Sequence, residues 1–367
     1  MTRNEARRRH HNIIVCAKRL RQSKHATIKR EAGRLELAAF QECLRDPETG
    51  LPPYRIVAPR DFCLLLAEPR TEVLIFLENI RKKVCEDRCI YIDFSQTTRM
   101  VADGTLLFYA EMDRLIRATS PKKHIRCSYP TDKVVEQVLQ QVGFFRVIGK
   151  RQKATIDHDM VKHWNSATGT KVEGKKIEPL QEYYQGSMAT PLLQSVLFAG
   201  ITEAMTNCCN HAYPKPRREV VTGVEEERRW WMFSQEKGGE LSIVFCDLGI
   251  GIPASLTKGE SWEPSFIKSI LARLGIGETD ASLIQTAFEI GKSTTGEEHR
   301  GKGLQEIRDV LAREGQGSLK TLSGNGCYEY EAHDGRQGAR NFAYRMPGTL
   351  IFWKIPIRNE QDNGRNN

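Results

Sequence analysis

From residue 190 to residue 356 the sequence spells one order of elements, and that order constrains the fold more than any single motif. A helical stretch covers 190–211, where Leu193, Leu197, Ile201, Ala204 and Cys208 form an apolar stripe. Two apolar runs, 230–235 and 241–246, flank Lys237 and Gly239 and predict a hairpin. Helical patterns follow over 264–274 and 281–289. A glycine-rich loop then opens a helix over 305–314. Strand-like runs close the chain at 317–322, 327–332, 339–344 and 350–356. Helices and strands mixed in this way predict the α/β class.

The upstream half alternates more tightly. Residues 72–83 place Val73, Leu74, Phe76, Leu77 and Ile80 at helical spacing, 89–94 reads as a strand, and 106–116 is helical again. A short strand at 124–127 and a helix at 134–142 complete a small α/β layer over 61–150. Residues 1–60 read as an extension. A short amphipathic helix carries Ile13, Cys16, Ala17 and Leu20, and a turn-rich connector runs from Asp46 and Pro47 to Pro52 and Pro53. Residues 151–184 read as a linker rich in Lys, Gly and Thr, 185–358 as the second domain, and 359–367 as a polar tail.

Net charge matters for what the chain binds. The 367 residues sum to +9, and residues 1–35 hold 11 Lys or Arg against two acids, which is the whole of that excess. The body from 36 onward is neutral, so overall basicity is no argument for a nucleic-acid partner; any such contact belongs to residues 1–35. That segment has no interleaved aromatics for base stacking, and a solvated basic arm is the competing reading. Ten scattered cysteines read as reduced thiols, with a zinc site at Cys85 and Cys89 as the weaker alternative. No apolar run is long enough to predict a transmembrane helix, and Ile13, Ile14 and Val15 are too short a run for a signal peptide. An Arg-rich transit peptide stays open; the expected location is cytoplasmic, with no membrane partner.

Four motifs carry chemistry. Glu203, Asn207 and His211 recur every four residues and stack along one helix face. The Glu can accept a proton from an attacking water or hydroxyl, and the Asn oxygen suits Mg²⁺. The plain alternative for these three is a solvated helix face. The run 241–246 leads into Asp247, Gly249, Gly251 and Pro253, where a carboxylate at a strand end can accept a hydrogen bond from an exocyclic amine. Lys292, Ser293, Thr294, Thr295 and Gly296 are followed by Arg300, Gly301, Lys302, Gly303 and Leu304, a loop of hydroxyls, cations and glycine N–H groups suited to phosphates at a helix N-terminus. It is not a Walker A loop. Gly348 and Thr349 precede the final strand.

This ordered set resembles the GHKL ATPases over about residues 185–357. The resemblance implies an α/β sandwich that binds Mg-ATP beneath a mobile lid. It implies Glu203 as general base, Asn207 as the Mg²⁺ ligand and Asp247 on the adenine amine, with Gly249 and Gly251 lining the base pocket. Lys292, Ser293, Thr294 and Thr295 then belong to the lid. Gly301, Lys302, Gly303 and Leu304 sit at the phosphates, with Arg300 at the γ-phosphate. His211 lies at the same nucleotide site, and Gly348 and Thr349 buttress the adenine pocket. The helix wording ITEAMTNCCNHAY is most similar to the anti-sigma serine-kinase branch. Residues 68–150 resemble STAS domains: 90–94 resembles their central strand and 101–106 the segment that carries their phosphoacceptor serine. Here Asp103 stands near that place, and Thr105 is the nearest hydroxyl.

The expected function is a Mg-ATP-dependent regulator that controls a protein partner, sigma-factor-like or another regulatory target, by phosphoryl transfer or ATP-driven switching. Two alternatives remain open at this point, an ATP-binding interaction switch without turnover and a nucleic-acid-associated ATPase using residues 1–35; among partners, a second copy of the chain also stays open.

Overall fold

The computed structural model describes residues 52–86, 88–118, 125–158, 161, 164–178, 182, 191–214, 228–237, 239–257, 263–293 and 303–357. The expected N-terminal amphipathic helix, the polar tail and positions 294–302 lie outside the described residues.

The first half runs β1 (Tyr54–Val57), β2 (Asp61–Phe62), α1 (Ala67–Cys85), β3 (Ile90–Asp93), β4 (Arg99–Met100), α2 (Ala102–Ala118), β5 (Ile125–Cys127), α3 (Lys133–Gln141) and the single turn α4 (Phe144–Val147). β1, β3 and β5 form a parallel sheet in that order, and β2 pairs with β4. β3 is buried at all four positions, as a central parallel strand requires. The small α/β unit therefore starts at Tyr54, inside the segment read as an extension. β1 escaped the pattern because Ile56 is its only buried residue and two prolines precede it.

The second half runs β6 (Trp164–Gly169), α5 (Pro191–Asn207) with a π-helical turn at Cys208–Ala212, β7 (Trp230–Lys237), β8 (Glu240–Asp247), α6 (Ile252–Thr257), α7 (Pro264–Leu274), α8 (Asp280–Ser293), α9 (Gly303–Glu314), β9 (Ser318–Glu331) and β10 (Arg336–Pro356). Its antiparallel sheet has the order β6-β7-β8-β10-β9. Two expectations need correction. The linker contains β6, which pairs with β7 as an edge strand; its polar sequence WNSATG gave no apolar signal. The four closing runs are two long strands, because Gly324, Asn325 and Gly326 stay within β9 instead of turning the chain. The opposing strand is irregular at Met346.

Side-chain alternation along this sheet feeds two cores. Trp230, Met232, Leu241, Ile243, Phe245, Ile351 and Trp353 face α5, α8 and α9. Trp231, Phe233, Val244, Cys246 and Leu350 face the other way and share one continuous core with α1, α2 and the parallel sheet. The five-stranded sheet is thus covered on both faces, and the fold is a layered α/β arrangement. α2 is sandwiched between the two sheets, which explains why it is buried nearly all round. Two of the acids this traps are paired: Glu111 takes Arg81 at 2.9 Å and Arg114 at 2.8 Å. Asp113 accepts Arg117 Nε at 3.0 Å and the indole Nε1 of Trp231 at 3.0 Å.

Candidate functional site

The site grows from the end of α5. Leu197, Ile201, Ala204 and Cys208 are buried, which leaves Glu203, Asn207 and His211 half-buried beside them. Asn207 Nδ2 donates to Glu203 Oε1 at 3.3 Å. With Nδ2 turned toward the carboxylate, Asn207 Oδ1 is the atom available to a cation, the oxygen donor Mg²⁺ prefers. One oxygen donor is thus present for the ion that the resemblance implies. His211 falls in the π-helical turn, whose last residue, Ala212, touches the next motif.

That turn meets the loop after β8 through backbone. Ile250 N donates to Ala212 O at 2.8 Å, and Leu248 N donates to the hydroxyl of Tyr213 at 2.9 Å. Tyr213 donates in turn to Arg229 O at 2.7 Å. The Cα of Gly249 lies against the Ala212 carbonyl, where any β-carbon would collide. This glycine is needed for protein-to-protein approach, independent of any ligand.

The same loop meets the final strand. Gly348 N donates to Gly249 O at 2.9 Å. Gly348 has φ of 68° and packs on the Asp247 carbonyl, so only glycine fits there. Thr349 pairs with Asp247 across the sheet and hydrogen-bonds its carboxylate, which also accepts Gly249 N at 2.8 Å. Asp247 is nonetheless buried, and desolvation pushes its pKa up to about 6. Burial, with Asp247 nearby, also raises the Tyr213 phenol and the Cys208 thiol. Beside Gly251, Ile252 N donates to Ser323 Oγ at 3.0 Å, and Ser323 Oγ donates to Gly348 O at 2.8 Å.

The end of the α5 motif and the final-strand motif thus both meet the loop after β8, the first at Gly249 and Ile250, the second at Asp247 and Gly249. The remaining motif is described only at its ends. Ser293 closes α8, and Gly303 and Leu304 open α9, two residues earlier than expected. Thr294, Thr295, Arg300, Gly301 and Lys302 lie outside the described residues. α9 packs on α5 where Ile307 meets Gly200, one turn from Gly303 and one turn before Glu203. Sequence reasoning missed Ser323 as a member of the site. Nothing local marks it, since its role arises only from pairing with Thr349.

In the first half, Asp103 is buried at the start of α2, where its carboxyl accepts Gly104 N at 2.5 Å and burial pushes its pKa up to about 6. Thr105 is fully buried. Neither side chain faces solvent, so Asp103 is not a surface charge. Among the described residues no group of three or more His, Cys, Asp or Glu is placed to hold a metal ion, Cys85 and Cys89 included. Among them no helix is long and apolar enough to cross a membrane. No family model and no curated protein matches the chain.

Proposed function

We propose that the chain is a Mg-ATP-binding regulator of the GHKL type, closest to the anti-sigma serine kinases, joined to a STAS-like unit. The observation that carries this reading is the loop after β8, where Gly249 and Thr349 bond the buried carboxylate of Asp247 and the backbone of Gly249 and Ile250 meets Gly348 and Ala212. Sheet register alone brings Thr349 to Asp247; the end of α5 is brought to the same loop by a separate contact, Ile250 N to Ala212 O. The parallel three-stranded sheet with its helices supports the STAS-like part.

In this reading Asp247 accepts the exocyclic amine of adenine, and Asn207 Oδ1 holds Mg²⁺. The ion neutralises phosphate charge when bound. Glu203, next to Asn207, takes the proton from the attacking water or partner hydroxyl. In this reading the phosphates take the first backbone N–H groups of α9, which a helix leaves without partners inside itself. Thr105, the hydroxyl nearest the STAS-like acceptor place, is buried; in this reading the acceptor is a Ser or Thr of a protein partner.

The test is calorimetry with Mg-ATP, followed by labelled ATP with and without candidate protein partners. Glu203→Ala should keep affinity and lose turnover. No binding by the wild-type chain refutes the reading. Binding with no turnover reduces it to an ATP-dependent interaction switch.

A further inference from the structure

An unusual buried charge lies outside this site. Arg70, in the first turn of α1, is fully buried, yet no carboxylate among the described residues lies within ion-pair distance of it. Its guanidinium instead crosses to the second half of the chain. Nη2 donates to Gly324 O at 2.9 Å, Nη1 lies 3.6 Å from Met346 Sδ, and the group stacks 4.4 Å from the centroid of the Phe342 ring. Nε has no partner among the described residues. Burial lowers its pKa to about 10, which leaves it charged at neutral pH. A buried cation held by a carbonyl, a sulfur and a ring is costly compared with an apolar side chain of the same size. Such a group needs a reason in what it holds.

What it holds is the irregularity between β9 and β10. Gly324 follows Ser323, whose hydroxyl binds Gly348 O and Ile252 N. Met346 precedes Gly348 by two residues. The same irregularity is gripped from the opposite side by Asp280, the first residue of α8, which accepts Asn325 N at 2.7 Å and Arg345 Nη1 at 3.5 Å. Ala281 N adds a bond to Asn341 Oδ1 at 3.0 Å. α8 ends at Ser293, where the phosphate-loop motif begins.

We propose that Arg70 is a positioning residue: through Gly324 it lets the N-terminal unit set the floor of the adenine pocket, Ser323–Gly348–Ile252, and the base of the helix leading to the phosphate loop. This rests on the nucleotide reading above for its function, but not for its geometry. No contact with nucleotide is assigned to Arg70.

The test is hydrogen exchange on the full chain without nucleotide, together with its affinity for Mg-ATP. Arg70→Met should speed exchange about tenfold or more in 248–252 and 346–349, while 241–246 on the neighbouring strand stays as in wild type. Mg-ATP affinity should fall about tenfold, the scale of one lost charge-assisted hydrogen bond. If Arg70→Met does not fold, Ser323→Ala cuts the next link and should give the same local pattern. Unchanged exchange in those segments, or a uniform rise throughout the chain, overturns the proposal. Failure of the wild-type chain to bind Mg-ATP would sink the nucleotide reading, while the exchange pattern would still decide the coupling.

Discussion

Asp247→Asn should reverse its effect on stability between acid and neutral pH. The wild-type carboxyl has a pKa of about 6 in the fold against 3.8 when exposed. Its folded-state value is raised, so the unfolded chain loses the proton first as pH rises. Stability is then full below 3.8, falls between 3.8 and about 6, and stays reduced above that. The shift of about two units corresponds to a cost on the order of 3 kcal/mol at pH 7.5. Asparagine removes that cost. It can still accept Gly249 N, but its amide group then faces the Thr349 N–H, a loss of about 1–2 kcal/mol. The variant should therefore be more stable than wild type by about 1–2 kcal/mol at pH 7.5, and less stable by a similar amount at pH 4. Asp103, also raised to about 6, titrates in the same window and leaves the wild-type slope only partly abolished. Asp93, whose pKa is lowered by its contacts with Arg55 and Ser95 despite burial, acts in the opposite sense below 3.8. Urea unfolding from pH 4 to 7.5 measures this. A stability difference of constant sign and size across that range would refute the argument that Asp247 is held charged against its surroundings. In the nucleotide reading the same variant also loses ATP affinity at pH 7.5, a gain in stability at the expense of the site.

Gly348→Ala should destabilise by more than about 2 kcal/mol, since positive φ and the Asp247 carbonyl both oppose a β-carbon; a thermal shift under 2 °C would contradict the packing described. Trp231→Phe removes the indole donor from buried Asp113 and should cost about 1–3 kcal/mol in urea unfolding, with Asp113→Asn giving less than an additive loss in the double variant. Deleting residues 1–35 should abolish any salt-sensitive polynucleotide binding. Equal binding with and without them would place that contact on the neutral body.

The sequence was most legible where burial was two-sided. The run at 241–246 read as a strand because alternate residues feed two different cores, so no polar face interrupts it. It failed at β6, an edge strand whose side chains N-S-A-T resemble a loop, and at β1, where one buried residue in four is too little pattern. The site was legible as residue types in order. Its geometry was not: Gly249 looked like a surface for a flat base, whereas its bare Cα already receives the Ala212 carbonyl. Ser323 and Arg70 were invisible because their meaning depends on partners 25 and 254 positions away. Local spacing cannot encode contacts made through sheet register.

The shared core limits how the N-terminal unit can regulate anything. To swing away from the sheet it would have to expose Trp231, Phe233, Val244, Cys246 and Leu350 together with the facing sides of α1 and α2. A single buried aromatic ring is worth about 1.5–3 kcal/mol, and several such side chains would approach the stability of a whole domain. The paired charges add to the barrier, because separation would strand Asp113 without its indole donor. Full undocking is therefore equivalent to unfolding. In the nucleotide reading, a signal from the N-terminal unit would reach Asp247 through small displacements in a packed interface, and Arg70 lies on one hydrogen-bonded route between them.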